Sequence, residues 1–242
     1  NRADSHGMML ATALDRYLSD ITPKKKPSTQ IREKGRIKTL RGKLKKYSLA
    51  ALTPKIVAQY RDERLREGKS HSTVRLELAL LSNLYTIAIK EWRLGLVVNP
   101  VALIWKPAPH KGRERRLQGD EQERLLAACD KRSNPMLGWM VRVALYTGMR
   151  LGEIRTLRVP QVDLDARVIR LSDTKNGTSR TVPLTVEAAD LLRRAIDRKK
   201  LSLRPKKTQL VFFGEPNEDG VISGYRIEKA WDDAKKKAGM PD

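Results

Sequence analysis

The 242-residue chain is short of several things, and each shortage closes off a class of function. Its single cysteine, Cys129, allows neither a disulfide framework nor a cysteine-built zinc site. Three histidines, His6, His71 and His110, stand far apart without metal-ligand spacing, which argues against a catalytic metal centre. Aromatic residues make up 5% of the chain, too few for single-strand binding by base stacking. Trp92, Trp105, Trp139 and Trp231 accordingly read as packing anchors. No apolar run approaches the roughly 18 residues of a membrane-spanning helix. No basic-then-apolar leader opens the chain, so a reduced, cytoplasmic setting is expected, nucleoid-associated in a prokaryote. Acidic residues are also scarce, 28 against 50 lysines and arginines, for a formal charge of +22.

That surplus asks for a partner with negative charge, either nucleic acid or an anionic surface. Residues 1–110 carry 22 basic against 9 acidic groups, and residues 111–242 carry 28 against 19. A charge spread over both halves suits a long polyanion better than a small substrate, and duplex nucleic acid is the favoured partner. The densest stretch, Lys24 to Lys46, holds 11 basic residues and one acid, Glu33. A solvated helix face explains part of that density. The rest predicts phosphate contacts, with Arg41, Lys43 and Lys45 as candidates. Lys199-Lys200 and Lys235-Lys236-Lys237 read as solvated helix ends, where cations suit the negative end of the dipole.

No internal repeat appears, and the first half reads as helices. Apolar positions from Met8 to Asp20 keep helical spacing. Ser28 or Thr29 is a candidate cap for a second helix running to about Lys45, and Thr53-Pro54 for a third that stops near Gly68. Ser72 to Trp92 carries the widest stripe, including Val74, Leu78, Leu81 and Tyr85, and predicts the central helix of a small bundle. Asn99-Pro100 closes that domain, expected over residues 1–105. Residues 106–118 read as a basic linker, in which Lys111 and Arg113 are further candidate DNA contacts. From residue 119 to 242 the period changes. Helices capped by Asp120, from Met136 to Tyr146 and from Arg150, precede short alternating runs at 162–164, 168–171 and 180–184. A helix from Val186 to Lys200, a strand at Val211-Phe213 and a helix from Ser223 complete the pattern. The fold class predicted is mainly α with a small antiparallel sheet.

Two segments carry candidate chemistry. In Tyr146-Thr147-Gly148-Met149-Arg150-Leu151-Gly152-Glu153-Ile154 the Thr-Gly pair breaks one helix and sets Arg150 at the start of the next. A guanidinium there joins free backbone N–H groups and can grip a phosphate with parallel hydrogen bonds. Glu153, three residues on, can steady it. An ordinary helix start with a surface ion pair is the plainer alternative. The second segment, Asp173-Thr174-Lys175-Asn176-Gly177-Thr178-Ser179-Arg180, reads as a hairpin turn. Its lysine is either solvated or delivered into a groove as a proton donor.

Taken in order, these features resemble the tyrosine recombinases, the phage-integrase family, over nearly the whole chain. The first domain is similar to the family's core-binding domain in Leu52-Thr53-Pro54, Tyr60, Ser70 to Thr73 and Asn99-Pro100. The Thr147-Gly148-Met149-Arg150-Leu151-Gly152-Glu153 run and the lysine turn carry the more specific likeness, to a mixed α/β catalytic domain. The resemblance implies that the two domains clamp duplex DNA and that Arg150 binds the scissile phosphate, with Glu153 its acidic supporter. It implies that Lys175 protonates the leaving 5′-oxygen, while a tyrosine stores the bond energy as a 3′-phosphotyrosine. No metal or nucleotide cofactor is implied, and members act as tetramers on two duplexes. The chain departs from the pattern after His110, where no histidine and no His-x-x-Arg box occurs. It reads as ending before that box and before the nucleophilic tyrosine, so a monomer inactive in cleavage is expected. Tyr225, after Ser223-Gly224, reads as a packing residue at a helix start and not as the nucleophile. A non-catalytic DNA-binding regulator of the same fold and a basic RNA-associated protein remain as alternatives, with the type IB topoisomerases as chemical neighbours.

Overall fold

Apolar side chains three and four residues apart give each helix of the N-terminal half one stripe to bury, and four helices bury theirs together. The computed structural model describes residues 7–109, 112, 114–172, 179–197 and 208–240. By its internal contacts the chain divides into two units, Asn1–Glu114 and Arg115–Asp242.

In the first unit, α1 (Leu10–Asp20), α2 (Pro27–Leu44), α3 (Pro54–Arg66) and α4 (His71–Lys90) follow one another. Helix α4 packs against each of the other three and buries Val74, Leu78, Leu81, Leu84, Tyr85 and Ala88, as its broad stripe predicts. Local chemistry sets the ends. The Thr53 hydroxyl accepts the Ile56 N–H at 3.4 Å ahead of Pro54, and Ser70 accepts the Thr73 N–H at 3.2 Å. Gly68, at φ +75°, turns the chain out of α3. Helix α2 begins at Pro27, ahead of the expected Ser28 or Thr29 cap, because the fixed φ of proline suits a first helical position.

The second unit carries α5 (Glu121–Asp130), α6 (Met136–Thr147), a one-turn α7 (Leu151–Arg155), then β1 (Val162–Asp163), β2 (Val168–Leu171) and β3 (Arg180–Pro183). Helices α8 (Val186–Ile196) and α9 (Glu228–Lys237) follow. The sheet is antiparallel in the order β1-β2-β3, with Ile169 opposite Val182 and Leu171 opposite Arg180. Ile169, Leu171 and Val182 face a core that includes Met140, Val143, Ile154 and Phe212. A smaller cluster joins α5, α6 and α9 through Leu125, Cys129, Leu137, Ala230 and Ala234. The mainly helical class with a small antiparallel sheet is therefore observed.

Three local expectations are corrected. Asp120 does not cap α5. It pairs with Arg124 at 3.1 Å, while the Glu121 carboxylate accepts the Gln118 N–H at 3.0 Å. Val211 to Phe213 is not a strand, since Leu210 and Phe213 form only isolated bridges, to Arg158 and Gly224. The last helix starts at Glu228 and not at Ser223. Residues 223–225 run alongside 212–214 instead, with the Gly214 N–H on the Ser223 carbonyl at 2.9 Å. Tyr225 consequently lies before the helix, half-buried between the two clusters of this unit.

Candidate active site

The turn between α6 and α7 is built to point one side chain in and the next one out. Helix α6 stops where the Thr147 hydroxyl donates back to the Val143 carbonyl at 2.5 Å. Gly148 then adopts φ +62°, a left-handed conformation that a side chain disfavours. Met149 drops into the core, and extended backbone at Arg150 sends the next side chain outward. Ile154, buried one turn later, holds α7 against the sheet. The far end of α7 is held by a close backbone approach: a Cβ on Gly224 would lie 2.3 Å from the Arg155 carbonyl oxygen. Only glycine fits there.

Glu153 is the hub of the cluster. One of its carboxylate oxygens accepts the Arg150 backbone N–H at 2.9 Å and the Arg180 guanidinium at 2.7 Å. The other takes Arg150 Nη1 at 3.2 Å. This is the carboxylate half of a capping box, the other half being impossible because arginine has no acceptor. The Glu153 side chain is 10% exposed, whereas those of Arg150 and Arg180 are 52% and 38% exposed. Burial pushes the Glu153 carboxyl up, but hydrogen bonds from Arg150 and the Arg180 charge outweigh it and hold the group below the usual carboxylate range. Two guanidinium groups share one carboxylate, so among the described residues a positive charge is left over and faces solvent. With five residues α7 supplies little dipole, and the leftover charge supplies the attraction for an anion.

The expected Arg150–Glu153 pair is thus present, and Arg180, the last residue of the lysine segment and without a role expected from sequence, joins it. Arg180 is 27 residues from Glu153 in sequence and opens β3, opposite Leu171. Helical spacing reveals the first pair, but only the sheet register brings in the third member. Lys175 lies outside the described residues, as do Lys111 and Arg113.

The remaining candidates sit towards the end of α2. Arg41 pairs with Asp15, and Lys43 bridges Glu63, at 2.5 Å, and Glu67. Those two carboxylates hold the Lys43 ammonium above its usual range. Lys45 is exposed and has no ion pair among the described residues. The lone acid of the stretch, Glu33, turns inward, where it accepts from Thr22 at 3.0 Å and from Lys25 at 2.6 Å. Burial of Glu33 leaves the exposed charges of α2 uniformly positive, at Arg32, Lys34, Lys38 and Lys43. No group of three or more possible metal-binding side chains occurs among the described residues, and no described helix is long and apolar enough to cross a membrane.

Residues 115–242, more than half of the chain, match the family model described as "Phage integrase family". The chain belongs to the phage integrase family. It is 41% identical over 197 residues to the shufflon-specific DNA recombinase of Escherichia coli, a match covering 76% of this chain and 49% of that protein. The chain therefore spans about half the length of that recombinase. In fold it is similar to lambda integrase, solved as a tetramer bound to a Holliday junction. The TM-score is 0.75 at 21% identity, over 100% of this chain and 67% of that one. It is also similar to the Tn1549 transposon integrase solved with circular intermediate DNA, at TM-score 0.74 and 15% identity over 96% of this chain and 79% of that one. A tyrosine-recombinase fold thus holds Arg150, Glu153 and Arg180 together.

Proposed function

We propose that this phage-integrase chain is part of a site-specific DNA recombinase that breaks and rejoins duplex DNA through a 3′-phosphotyrosine. The carrying observation is the half-exposed Arg150, fixed through the nearly buried Glu153 and left, among the described residues, with unneutralised positive charge. A phosphodiester bears one negative charge, and the free edge of the guanidinium can grip its two non-bridging oxygens. As a nucleophile adds to phosphorus, charge builds on those oxygens, and a preorganised cation stabilises that state more than the ground state. Lys175 is the proposed proton donor to the departing 5′-oxygen. The nucleophile is a tyrosine outside residues 1–242, and no metal or nucleotide cofactor enters the reaction.

Phosphates along the duplex are met by the basic face of α2, including Arg41, Lys43 and Lys45, and by Lys111 and Arg113 in the 106–118 linker that joins the proposed 1–105 and 119–242 domains. The lambda integrase tetramer on a Holliday junction supports a homotetramer on DNA as the working form of the complete protein. Residues 1–242 alone are proposed to be monomeric in solution, to bind duplex DNA and to form no covalent adduct with it. In a cell the protein would be cytoplasmic, and nucleoid-associated if that cell is prokaryotic.

The test is single-turnover cleavage by the complete protein. Arg150→Ala should lower the rate by about 100- to 1,000-fold, as removal of one preorganised oxyanion donor does. DNA affinity should stay within about threefold, because one phosphate contact among several is a small share of binding. Lys175→Ala should also slow cleavage and be rescued by a 5′-bridging phosphorothiolate, whose thiolate leaves without a proton. Wild-type cleavage by Arg150→Ala would remove this reading, and failure of the rescue would remove Lys175 from its role.

A further inference from the structure

The pairing expected from sequence, Arg150 with Glu153, does not account for Arg180. A guanidinium entering from another element usually signals either a plain surface pair or a part of the site. Geometry separates the two. Arg180 does not meet an outlying edge of the Glu153 carboxylate. It meets the very oxygen that accepts the Arg150 backbone N–H, at 2.7 Å and 2.9 Å respectively. The other oxygen is left for Arg150 Nη1 at 3.2 Å. With its partners on separate oxygens, the carboxylate plane is fixed from two sides. Without Arg180, the Glu153 carboxylate would be freer to turn out of the plane in which one oxygen serves the Arg150 backbone and the other its guanidinium. A side chain only 10% exposed also lacks the water that could replace the lost donor.

We propose that Arg180 is a positioning residue for Arg150: it locks the Glu153 carboxylate and thereby ties the first residue of β3 to the turn that presents Arg150. This rests on the reading of Arg150 as the phosphate-binding group. Its consequence bears on Lys175 as well. Arg180 is the fifth residue after Lys175, so β3, which begins there, is anchored at the same carboxylate as Arg150. One acidic group thus sets the register between the element that opens at Arg150 and the strand that follows Lys175. Arg180 also keeps the site cationic. The pair Arg150–Glu153 alone is neutral, whereas the three residues together carry the positive charge that a phosphodiester balances.

Arg180→Ala, Arg180→Lys and Arg150→Ala in the complete protein separate the possibilities. Arg180→Ala should slow cleavage at saturating DNA by on the order of a hundredfold, the effect of a small misplacement of a reacting group. DNA affinity should stay within about threefold of wild type, one contact among several, and the melting temperature should fall only slightly, because Glu153 keeps its two bonds from Arg150. Arg180→Lys should recover most of the rate, because an ammonium can still hold the same oxygen. Nitrogen-15 NMR of residues 1–242 should show the Arg150 guanidinium rotating slowly in the wild type and in Arg180→Lys, and freely in Arg180→Ala. Wild-type cleavage by Arg180→Ala alongside an inactive Arg150→Ala would overturn the proposal and leave the reading of Arg150 intact. Wild-type cleavage by Arg150→Ala would overturn both. A loss of affinity matching the loss of rate would make Arg180 an ordinary DNA contact, and an unchanged Arg150 rotation would equally sink the positioning role.

Discussion

Two carboxylates, one in each unit, hold arginines in opposite ways. In the first unit Glu77 is 3% exposed and receives Arg64 through two bonds, at 3.0 and 2.8 Å, with the Tyr60 hydroxyl at 2.7 Å. Arg64 is itself buried and passes a further bond to Glu67. Burial and the Glu77 charge push the Tyr60 hydroxyl far above its usual range, so it stays a neutral donor. In the second unit Glu153 is almost as well enclosed, but both of its arginines reach solvent. The Glu77 set is closed, with its charges matched inside the fold. The Glu153 set is open, with one positive charge unmatched among the described residues. A buried carboxylate therefore says little about function by itself, and what its cations face decides between holding the fold and holding a ligand.

The largest effect expected from breaking this comparison falls on the closed set. Glu77→Ala leaves Arg64 buried without its main partner, and such a loss destabilises a protein by about 3–5 kcal/mol. Glu153→Ala should destabilise by only about 1 kcal/mol, the usual loss for a helix-capping side chain, because its arginines can turn to water. Chemical denaturation of the two variants of residues 1–242 measures both. In the complete protein the order should reverse for cleavage at saturating DNA, with Glu153→Ala the slower enzyme. Equal destabilisation by the two variants would erase the distinction between closed and open sets.

A smaller effect reaches the open set through its support. Gly224→Ala would drive a methyl group into the Arg155 carbonyl, at 2.3 Å before relaxation, and overpacking of this kind is destabilising by about 1–3 kcal/mol. The shift falls on α7, whose first turn presents Arg150. Amide chemical-shift changes should therefore spread from 224 to 150–155 and leave the Arg64–Glu77 region untouched. Changes confined to residues near 224 would show that α7 is held by Ile154 alone.

Sequence periodicity carries the helices because burial on one face is a local pattern. The α4 stripe, the Thr53 cap and the Gly148 stop are legible locally, whereas the stripe alone starts α4 at Ser72 and the Ser70 cap sets its start at His71. Arg150 with Glu153 was legible too, being one helical turn apart. Arg180 was not, since nothing local to β3 tells which carboxylate it meets. The pairing of 212–214 with 223–225 was hidden for the same reason. Ser223-Gly224 reads locally as a helix start, yet Gly224 is there because the Arg155 backbone passes beside it. Glu33 shows the converse: in sequence it is a lone acid diluting a basic run, and in the fold it is withdrawn from the surface altogether.

That withdrawal leads to the smallest and most discriminating effect, within α2 itself. Its cations divide like the two carboxylates. Arg41 and Lys43 are closed by Asp15, Glu63 and Glu67, whereas Lys38 and Lys45 are exposed with no ion pair among the described residues. A phosphate meeting Lys45 displaces only water and counterions, but one meeting Lys43 must first displace two carboxylates. Each unpaired lysine on a phosphate should therefore contribute its full share to the salt dependence of duplex binding, about 0.9 in the log–log slope. Lys38→Ala with Lys45→Ala should flatten that slope by about 1.8 for two such contacts. Arg41→Ala with Lys43→Ala should flatten it by less than half as much, because carboxylates freed by the phosphates bind cations again. Binding isotherms for residues 1–242 at several salt concentrations compare the two doubles directly. Equal slopes would mean that DNA opens the surface pairs as easily as it sheds water, and the division into closed and open cations would then hold only where carboxylates are buried.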